Sequence, residues 1–469
     1  MPALAIVDCG AESGRVMLVQ TDRSTTAATP TQEVHRFQTK LLANNGQLSW
    51  DWQHQLSQIE YGLQQAAALA PDLAAITCDT WGVDFGLLDQ DHTLLANPCS
   101  YRDPRGARGE ALLDQQATAP ERFQRSGVAQ LSFNTLNQLA ALVDEEPALA
   151  RRVAHVAMLP DLLNFHLSGV LRCERSIAAT TSCFKAGSVT LDEVFLKQCG
   201  INPAWFAPLS ATGTLLGPVR PALAQRLGLP TTCQVIAGAG HDTAAAVGAV
   251  PDLGPDRAYL SSGTWSLLGA VIEQPHRTPA TGADGLSNEA HIDHRQRLNA
   301  NVMGLWILQQ ARRGWLTTGA ARCSYAELAA DAAAMTAPAG PPLAVNDDRF
   351  FAPHSEENPM PQRIITWYAE HGERVTASPA ELSRRIVDGL AHAYGRAMTT
   401  LRQHTGFPLR HLTIVGGGNQ HHFLNQQVAA ATGCSVRCGA IEASVLGNAM
   451  LATKALQKNG LCAPMSCSS

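Results

Sequence analysis

Short apolar runs alternate with stretches of helix-spaced apolar positions along the whole chain. Residues 4–9 and 15–20 are apolar runs joined by Gly10-Ala11-Glu12-Ser13-Gly14, the pattern of a hairpin with a glycine-rich tip. Residues 53–69 carry apolar side chains at helical spacing, and residues 73–78 predict a buried strand ending at Asp79. Helices are predicted over 136–149, 161–167, 192–198 and 221–227. Val235-Ile236-Ala237 then reads as a short buried strand, Gly238-Ala239-Gly240 as a turn, and His241-Asp242-Thr243 as the opening of an alanine-rich helix.

Residues 257–260 and 265–268 predict a second hairpin, with Ser261-Ser262-Gly263-Thr264 at its tip. Apolar helices are expected over 298–312 and 324–335, with a Pro/Gly-rich linker at 337–343. Ser378-Pro379-Ala380-Glu381 has the form of a capping box with proline at the first helical position, opening a helix to about residue 403. A strand over 412–415, three glycines, a helix to 431, a strand over 435–437 and a closing helix over 442–455 complete the pattern, and residues 457–469 read as a loose tail.

Strands alternating with helices indicate an α/β class. A chain of 469 residues exceeds the ~250–300 residues at which single cores stop growing. Two domains are therefore expected, 1–250 and 251–456, and the small-residue hairpin opening each half suggests related topologies. Hydrophobic residues at 45% and charged ones at 16% describe an ordinary globular protein. A net charge of −5 offers no basic footprint for nucleic acid. No apolar run reaches the ~18 residues of a membrane helix, and Met1 leads into a strand without a basic leader, so a cytoplasmic protein is expected. The 12 cysteines include no Cys-x-x-Cys pair, which points to reduced thiols and against a structural zinc at Cys434 and Cys438.

Several segments carry chemistry. Asp242 has two readings, a helix N-cap or a general base at a cleft mouth. Asp8 to Arg15 reads either as a phosphate cradle of backbone N–H groups with a guanidinium beside it or as a hairpin turn that uses glycine for positive φ. It is not a P-loop, because Gly-x-x-x-x-Gly-Lys-Ser/Thr occurs nowhere, and a strand after the glycines excludes a dinucleotide fingerprint. Ser261 to Thr264 is a second candidate cradle or a plain turn. Gly416-Gly417-Gly418 removes every side chain at a strand end, leaving room for a flat ring, where a tight turn normally needs one glycine. Asp79-Thr80-Trp81-Gly82-Val83-Asp84-Phe85, Tyr101-Arg102-Asp103 and Phe133-Asn134-Thr135 mix polar and aromatic groups as a sugar requires, or as surface ion pairs beside core aromatics would. Asn301 and Gln309, eight residues apart, are expected on one face of the 298–312 helix. His241 reads as a hydrogen-bonding neighbour of Asp242, and Trp50 and Trp52 as packing residues.

In family order, these segments, with Asn301 to Trp306, Asn346-Asp347-Asp348-Arg349-Phe350 and Val415 to Gly418, resemble the FGGY carbohydrate kinases across almost the whole chain. Thr80 to Phe85 and Asn346 to Phe350 resemble the branch acting on L-rhamnulose. The resemblance implies a two-domain actin/hexokinase-like (ribonuclease H-like) ATPase fold with an interdomain catalytic cleft, and ATP-dependent phosphorylation of L-rhamnulose at O1. It implies Asp242 as proton acceptor, and Gly82, His241, Thr243 and Asn301 as sugar contacts. ATP would be met by Ala11, Glu12, Ser13, Gly14, Arg15, Thr264, Gln309 and Gly417, and Asp8 would serve Mg²⁺ through water. Glu12 departs from the small hydroxyl residue expected in a phosphate hairpin, so its side chain points outward or nucleotide binding is weaker. The expected partners are a small ketose and ATP, in a monomer or weak homo-oligomer with no nucleic acid or membrane. The alternatives are another ketose, such as L-fuculose or L-xylulose, or a catalytically silent sugar or nucleotide sensor.

Overall fold

The computed structural model of the chain describes residues 3–20, 30–44, 46–188, 190–319 and 323–462. The chain forms two compact units, one of Met1–Ala249, Glu273–Arg297 and Ala443–Ser469, the other of Val250–Ile272 and Leu298–Glu442. The first unit is not continuous in sequence, because Glu273–Arg297 and Ala443–Ser469 group with its first 249 residues. The closing helix Ala443–Lys458 groups with the first unit because Val445, Ala449, Ala452 and Leu456 pack on Leu4, Ile6, Met17 and Ala75 of its sheet.

In the first unit a six-stranded sheet runs in the order Thr214–Pro218, Gln234–Ala237, Leu73–Thr80, Ala3–Cys9, Ser13–Gln20, Thr31–Gln38. Ala3–Cys9 and Ser13–Gln20 form the expected antiparallel hairpin, with Cys9 opposite Gly14. Leu73–Thr80 pairs parallel to Ala3–Cys9, and Gln234–Ala237 parallel to Leu73–Thr80. These inner strands are buried at nearly every position, which explains their predominantly apolar runs.

The second unit repeats the arrangement. Its strands Gln296–Val302, Ser266–Ile272, Arg257–Ser262, His411–Val415 and Ser435–Cys438 follow one another in that order within a six-stranded sheet. Arg257–Ser262 is antiparallel to Ser266–Ile272 and parallel to His411–Val415, which is parallel to Ser435–Cys438. Each unit is thus an α/β domain with a mixed sheet, built from a hairpin whose first strand is extended by parallel partners. The helix Pro379–Thr405 buries Leu382, Ile386, Leu390, Tyr394, Met398 and Leu401 along one stripe.

Three local expectations are corrected. The 298–312 segment is not one helix: residues Gln296–Val302 form a buried strand, and the helix is Trp306–Thr317. Asparagine at 299 and 301 disfavours helix, and the Asn299 Oδ1 accepts the Tyr259 hydroxyl at 3.2 Å in the sheet. Asn301 and Gln309 therefore share no helix face. Ser378 is an N-cap without a side-chain hydrogen bond, so the capping box is absent. Glu381 instead accepts from the Thr376 N–H (3.1 Å) and hydroxyl (2.6 Å) and from Arg385 (3.1 Å). The 136–149 helix breaks at Pro147, giving Thr135–Glu145 and Pro147–Ala150. Of the expected tail, residues 457 and 458 finish the closing helix and residues 463–469 lie outside the described residues. Among the described residues, no helix is long and apolar enough to cross a membrane.

Candidate active site

In the first unit, the parallel strands Ala3–Cys9, Leu73–Thr80 and Gln234–Ala237 end side by side, with Asp8 in register with Asp79. Thr80 donates its N–H to the Gly240 carbonyl at 2.9 Å, which ties the turn after the third strand to the second. Carboxyl ends of parallel strands are where open α/β sheets place ligands.

Asp8 accepts at Oδ2 from Arg15 Nε (3.1 Å) and Nη2 (2.8 Å) and from the Ser444 hydroxyl (2.8 Å). The guanidinium read as a partner for phosphate thus already holds this carboxylate. At the hairpin tip, Gly10 N–H donates to Ser13 O (3.0 Å), and Thr39 donates its hydroxyl to Gly10 O (3.0 Å) and its N–H to Glu12 O (3.2 Å). Ala11 and Glu12 form the bend, and Ser13, Gly14 and Arg15 begin the return strand.

Asp79 is fully buried and accepts Asn448 Nδ2 at Oδ2 (2.7 Å), while its Oδ1 has no hydrogen-bond partner among the described residues. Burial first, then the charges of Asp8 and Asp242, push its carboxyl well above the usual carboxylate range.

The turn before Asp242 is held from two sides. Glu174, itself buried, accepts the Gly240 N–H at 3.0 Å, and the Ser176 hydroxyl accepts the His241 N–H at 3.2 Å. Asn448 accepts the Ala239 N–H at 2.8 Å. His241 occupies the N-cap position without a side-chain cap, and Asp242 is the first residue of the helix Asp242–Gly248. The N-cap reading of Asp242 therefore fails. Its Oδ1 accepts the N–H and hydroxyl (3.1 Å) of Thr243, and His241 Nδ1 stands 3.0 Å away. Oδ2 has no hydrogen bond or ion pair among the described residues, and the side chain is 34% exposed.

His241 Nε2 lies 3.5 Å from Glu289 Oε2. Burial alone would lower the imidazole pKa, but the adjacent carboxylates of Asp242 and Glu289 outweigh it and raise it to about 9.

Gly82 packs near Thr180, and its neighbour Val83 has φ 68°, a left-handed conformation rare for a β-branched residue. Thr180 accepts the Val83 N–H (3.1 Å) and Thr135 donates to its carbonyl (2.7 Å), which pins this strained bend. Asp84 is a buried hub: Oδ2 accepts Trp50 Nε1 (2.6 Å), Trp81 Nε1 (2.9 Å) and Tyr101 N–H (3.2 Å), and Oδ1 accepts Gln138 Nε2 (3.2 Å). Burial raises its pKa to about 6 against the opposing pull of these donors. Asp84 is therefore scaffold, and Trp50 both packs and donates.

In the second unit, the hairpin register places Ser262 opposite Ser266, leaving Gly263, Thr264 and Trp265 as the tip. The carbonyls of Gly263 and Thr264 accept the N–H groups of Leu305 (2.9 Å) and Trp306 (3.1 Å). This seats the helix start on the hairpin and brings the Thr264 hydroxyl within 3.4 Å of Gln309 Oε1. Asn346 accepts the Met303 N–H (2.8 Å) and donates to Asn301 O (3.1 Å), so it shapes the chain beside Asn301. Of the three glycines, Gly416 has φ 85° and a Cβ there would meet Ser262 O at 2.9 Å, while a Cβ on Gly418 would overlap the Ser262 hydroxyl. Only Gly417 borders open space.

Asp8, Ala11 to Arg15, Gly82, His241, Asp242 and Thr243 thus belong to the first unit, and Asn301, Thr264, Gln309 and Gly417 to the second. Sequence reading passed over Glu174, Glu289 and Asn448, whose positions follow no motif spacing. Asp79 carried a legible signal, since its strand ends beside the one bearing Asp8.

Residues 3–248 match the N-terminal domain of the FGGY family of carbohydrate kinases, and residues 258–456 its C-terminal domain. A gluconate kinase structure from Lactobacillus acidophilus is 18% identical, with a TM-score of 0.77 over 99% of this chain and 91% of that one. A ligand-bound xylulose kinase from the same organism gives 17% identity and a TM-score of 0.77 over 99% and 91%. Plasmodium falciparum glycerol kinase with ADP gives 14% and 0.74 over 98% and 90%. With both halves of the sequence matched in order and the same mixed-sheet topology in each unit, the chain belongs to the FGGY family of carbohydrate kinases.

Proposed function

We propose that this protein phosphorylates L-rhamnulose at O1 with ATP, with Asp242 as the general base. The observation that carries the reading is the asymmetry of the Asp242 carboxylate. One oxygen is held by Thr243 beside His241, while the other has no protein partner among the described residues.

A sugar hydroxyl is a weak nucleophile, and removing its proton as the bond to phosphorus forms is worth roughly 10²–10⁴ in rate. Positioning the hydroxyl in line with the γ-phosphoryl is the larger task. In this reading Gly82, His241, Thr243 and Asn301 orient the ketose, and the strained bend at Val83 fixes the Gly82 backbone. The N–H groups of the tip from Ala11 to Arg15 receive phosphate oxygens, while Thr264, Gln309 and Gly417 take the remainder of the nucleotide. Arg15 contributes through Asp8, which it holds.

Among the described residues no group of three His, Cys, Asp or Glu side chains is arranged to ligate a metal. A lone partly bonded carboxylate fits Mg²⁺, which usually arrives on substrate phosphates and keeps several waters. Asp8 would hold it there, and when bound it neutralises charge on the phosphates.

A panel of ketoses with ATP and coupled ADP detection tests the proposal. L-rhamnulose should exceed L-fuculose and L-xylulose by at least ~tenfold in kcat/KM. Preference for another ketose would reassign the substrate, and binding without turnover on any sugar would identify a sensor.

A further inference from the structure

We infer that Glu289 is a positioning residue for the proton acceptor, acting on Asp242 through His241. This rests on the kinase reading above. Glu289 lies on the buried strand Leu286–Ala290, remote in sequence from both hairpins and from the turn before Asp242. Its Oε2 stands 3.5 Å from His241 Nε2 and accepts Arg297 Nη2 at 2.9 Å. The Arg297 side chain is 0% exposed and also donates Nε to Ala290 O at 3.2 Å. On the far side of the imidazole, Nδ1 is 3.0 Å from Asp242 Oδ1. Arg297, Glu289, His241 and Asp242 therefore form a row in which the ring stands between two carboxylates.

The other charged groups near His241 point to the same role. Glu174 is spent on backbone N–H groups, including that of Gly240, and on Ser176, which in turn accepts the His241 N–H. Asp79 interacts with Asp242 from the neighbouring strand. Neither is paired with the ring, so Glu289 is the second carboxylate, after Asp242, that supports the ring's charge and holds it from behind. The two flanking carboxylates explain why so buried an imidazole keeps its proton to about 9.

The consequence falls on Asp242. The terminal torsion of an aspartate is broad and two-fold, and this side chain is 34% exposed. A charged imidazole beside Oδ1, with the Thr243 donors, commits that oxygen and leaves Oδ2 as the proton-accepting atom. Without Glu289 the ring loses its second anchor and much of its reason to be charged.

The test is Glu289→Gln, whose amide oxygen still accepts from Arg297. In the ligand-free protein, NMR titration should show the native His241 ring protonated beyond pH 8 and the variant ring losing its proton at least ~one unit lower. Turnover should fall about tenfold with the KM for ATP unchanged. In a His241→Gln background the same substitution should cost nothing more, because residues acting in series are not additive. Glu289→Asp should restore part of the titration. An unmoved His241 titration, or an equal loss of turnover with and without His241, overturns the inference. If Asp242→Asn kept native turnover, the acceptor itself would be lost and this role with it. If Asp242→Asn is inactive while Glu289→Gln is silent, the inference on Glu289 alone falls.

Discussion

Asn448 binds Ala239 through both ends of its amide: Oδ1 accepts the Ala239 N–H at 2.8 Å, and Nδ2 donates to the Ala239 carbonyl at 3.2 Å. The same Nδ2 donates to Asp79 at 2.7 Å. One side chain of the closing helix therefore satisfies the glycine-flanked turn that leads into Asp242, at a site with no access to water. Asn448→Ala strands the Ala239 N–H and carbonyl and removes the donor to Asp79. Each buried group left unpaired costs about 1–3 kcal/mol, so the urea midpoint should drop clearly and turnover should fall with it. An unchanged midpoint would mean that the turn holds itself.

Gly447, one residue earlier, carries a different demand. A Cβ there would lie far inside van der Waals contact with the Ala245 carbonyl oxygen, in the helix that begins at Asp242. Neither partner is the loose end of a flexible side chain, so the two helices must separate to admit a methyl group. Overpacking of this kind typically costs 1–3 kcal/mol. Gly447→Ala should lower the melting temperature and reduce kcat. Gly460→Ala, which meets no neighbour but carries a φ of 71° at a helix end, should cost stability while sparing turnover.

Asp84 gives a pH signature. Burial lifts its pKa to about 6 in the folded protein, against about 3.9 in an unfolded chain. Between these values the folded state binds the proton and the unfolded state does not. The contribution of this group to stability is therefore fully present below about 3.9 and is lost as pH rises through about 6. Asp84→Asn removes that titration. The stability difference between native protein and variant should shift in favour of the native protein as pH is lowered from 7 to 5, measured by urea unfolding at each pH. A difference that is flat across this window would place the Asp84 pKa near its ordinary value.

Much of the fold was legible because the buried parallel strands write themselves as predominantly apolar runs, as residues 4–9 and 73–78 show. Edge and surface strands leave no such mark. Thr31–Gln38, which pairs with Ser13–Gln20, is mostly polar and has a single buried residue, Phe37, so no period announces it. Residues 296–302 misled because Leu298, Ala300 and Val302 alternate with polar residues just ahead of the helix Trp306–Thr317, so the strand's period was read into the helix. The turns of the candidate site were legible where a turn imposes its own composition, as at residues 10–14, 238–240 and 261–264. Glu289 and Asn448 were not, because their partners are set by how distant elements pack.

The three glycines after the strand His411–Val415 invite one separation of packing from binding. Gly416 and Gly418 are demanded by Ser262, whereas nothing lies within 4 Å of a Cβ on Gly417. Gly418→Ala should therefore destabilise the second unit whatever the ligand. Gly417→Leu should leave the melting temperature near native and raise the KM for ATP, since the new side chain would fill the space proposed for the nucleotide. A KM for ATP unaffected by leucine at 417 would move the nucleotide elsewhere.

Asp242→Asn addresses the chemistry directly. The side chain is 34% exposed and lies in the first helical turn, so the amide can keep its oxygen toward Thr243 without burying an unpaired group. Folding should be native by circular dichroism and thermal melting. Loss of proton abstraction should lower kcat by roughly 10²–10⁴. Sugar and nucleotide binding, measured by calorimetry, should persist within a few-fold, because the proposed contacts from Gly82, Asn301, Thr264 and Gly417 are untouched. A variant that binds both ligands and still phosphorylates at the native rate would transfer the base role to another group, and Asp79, whose Oδ1 has no hydrogen-bond partner among the described residues, would be the next to replace.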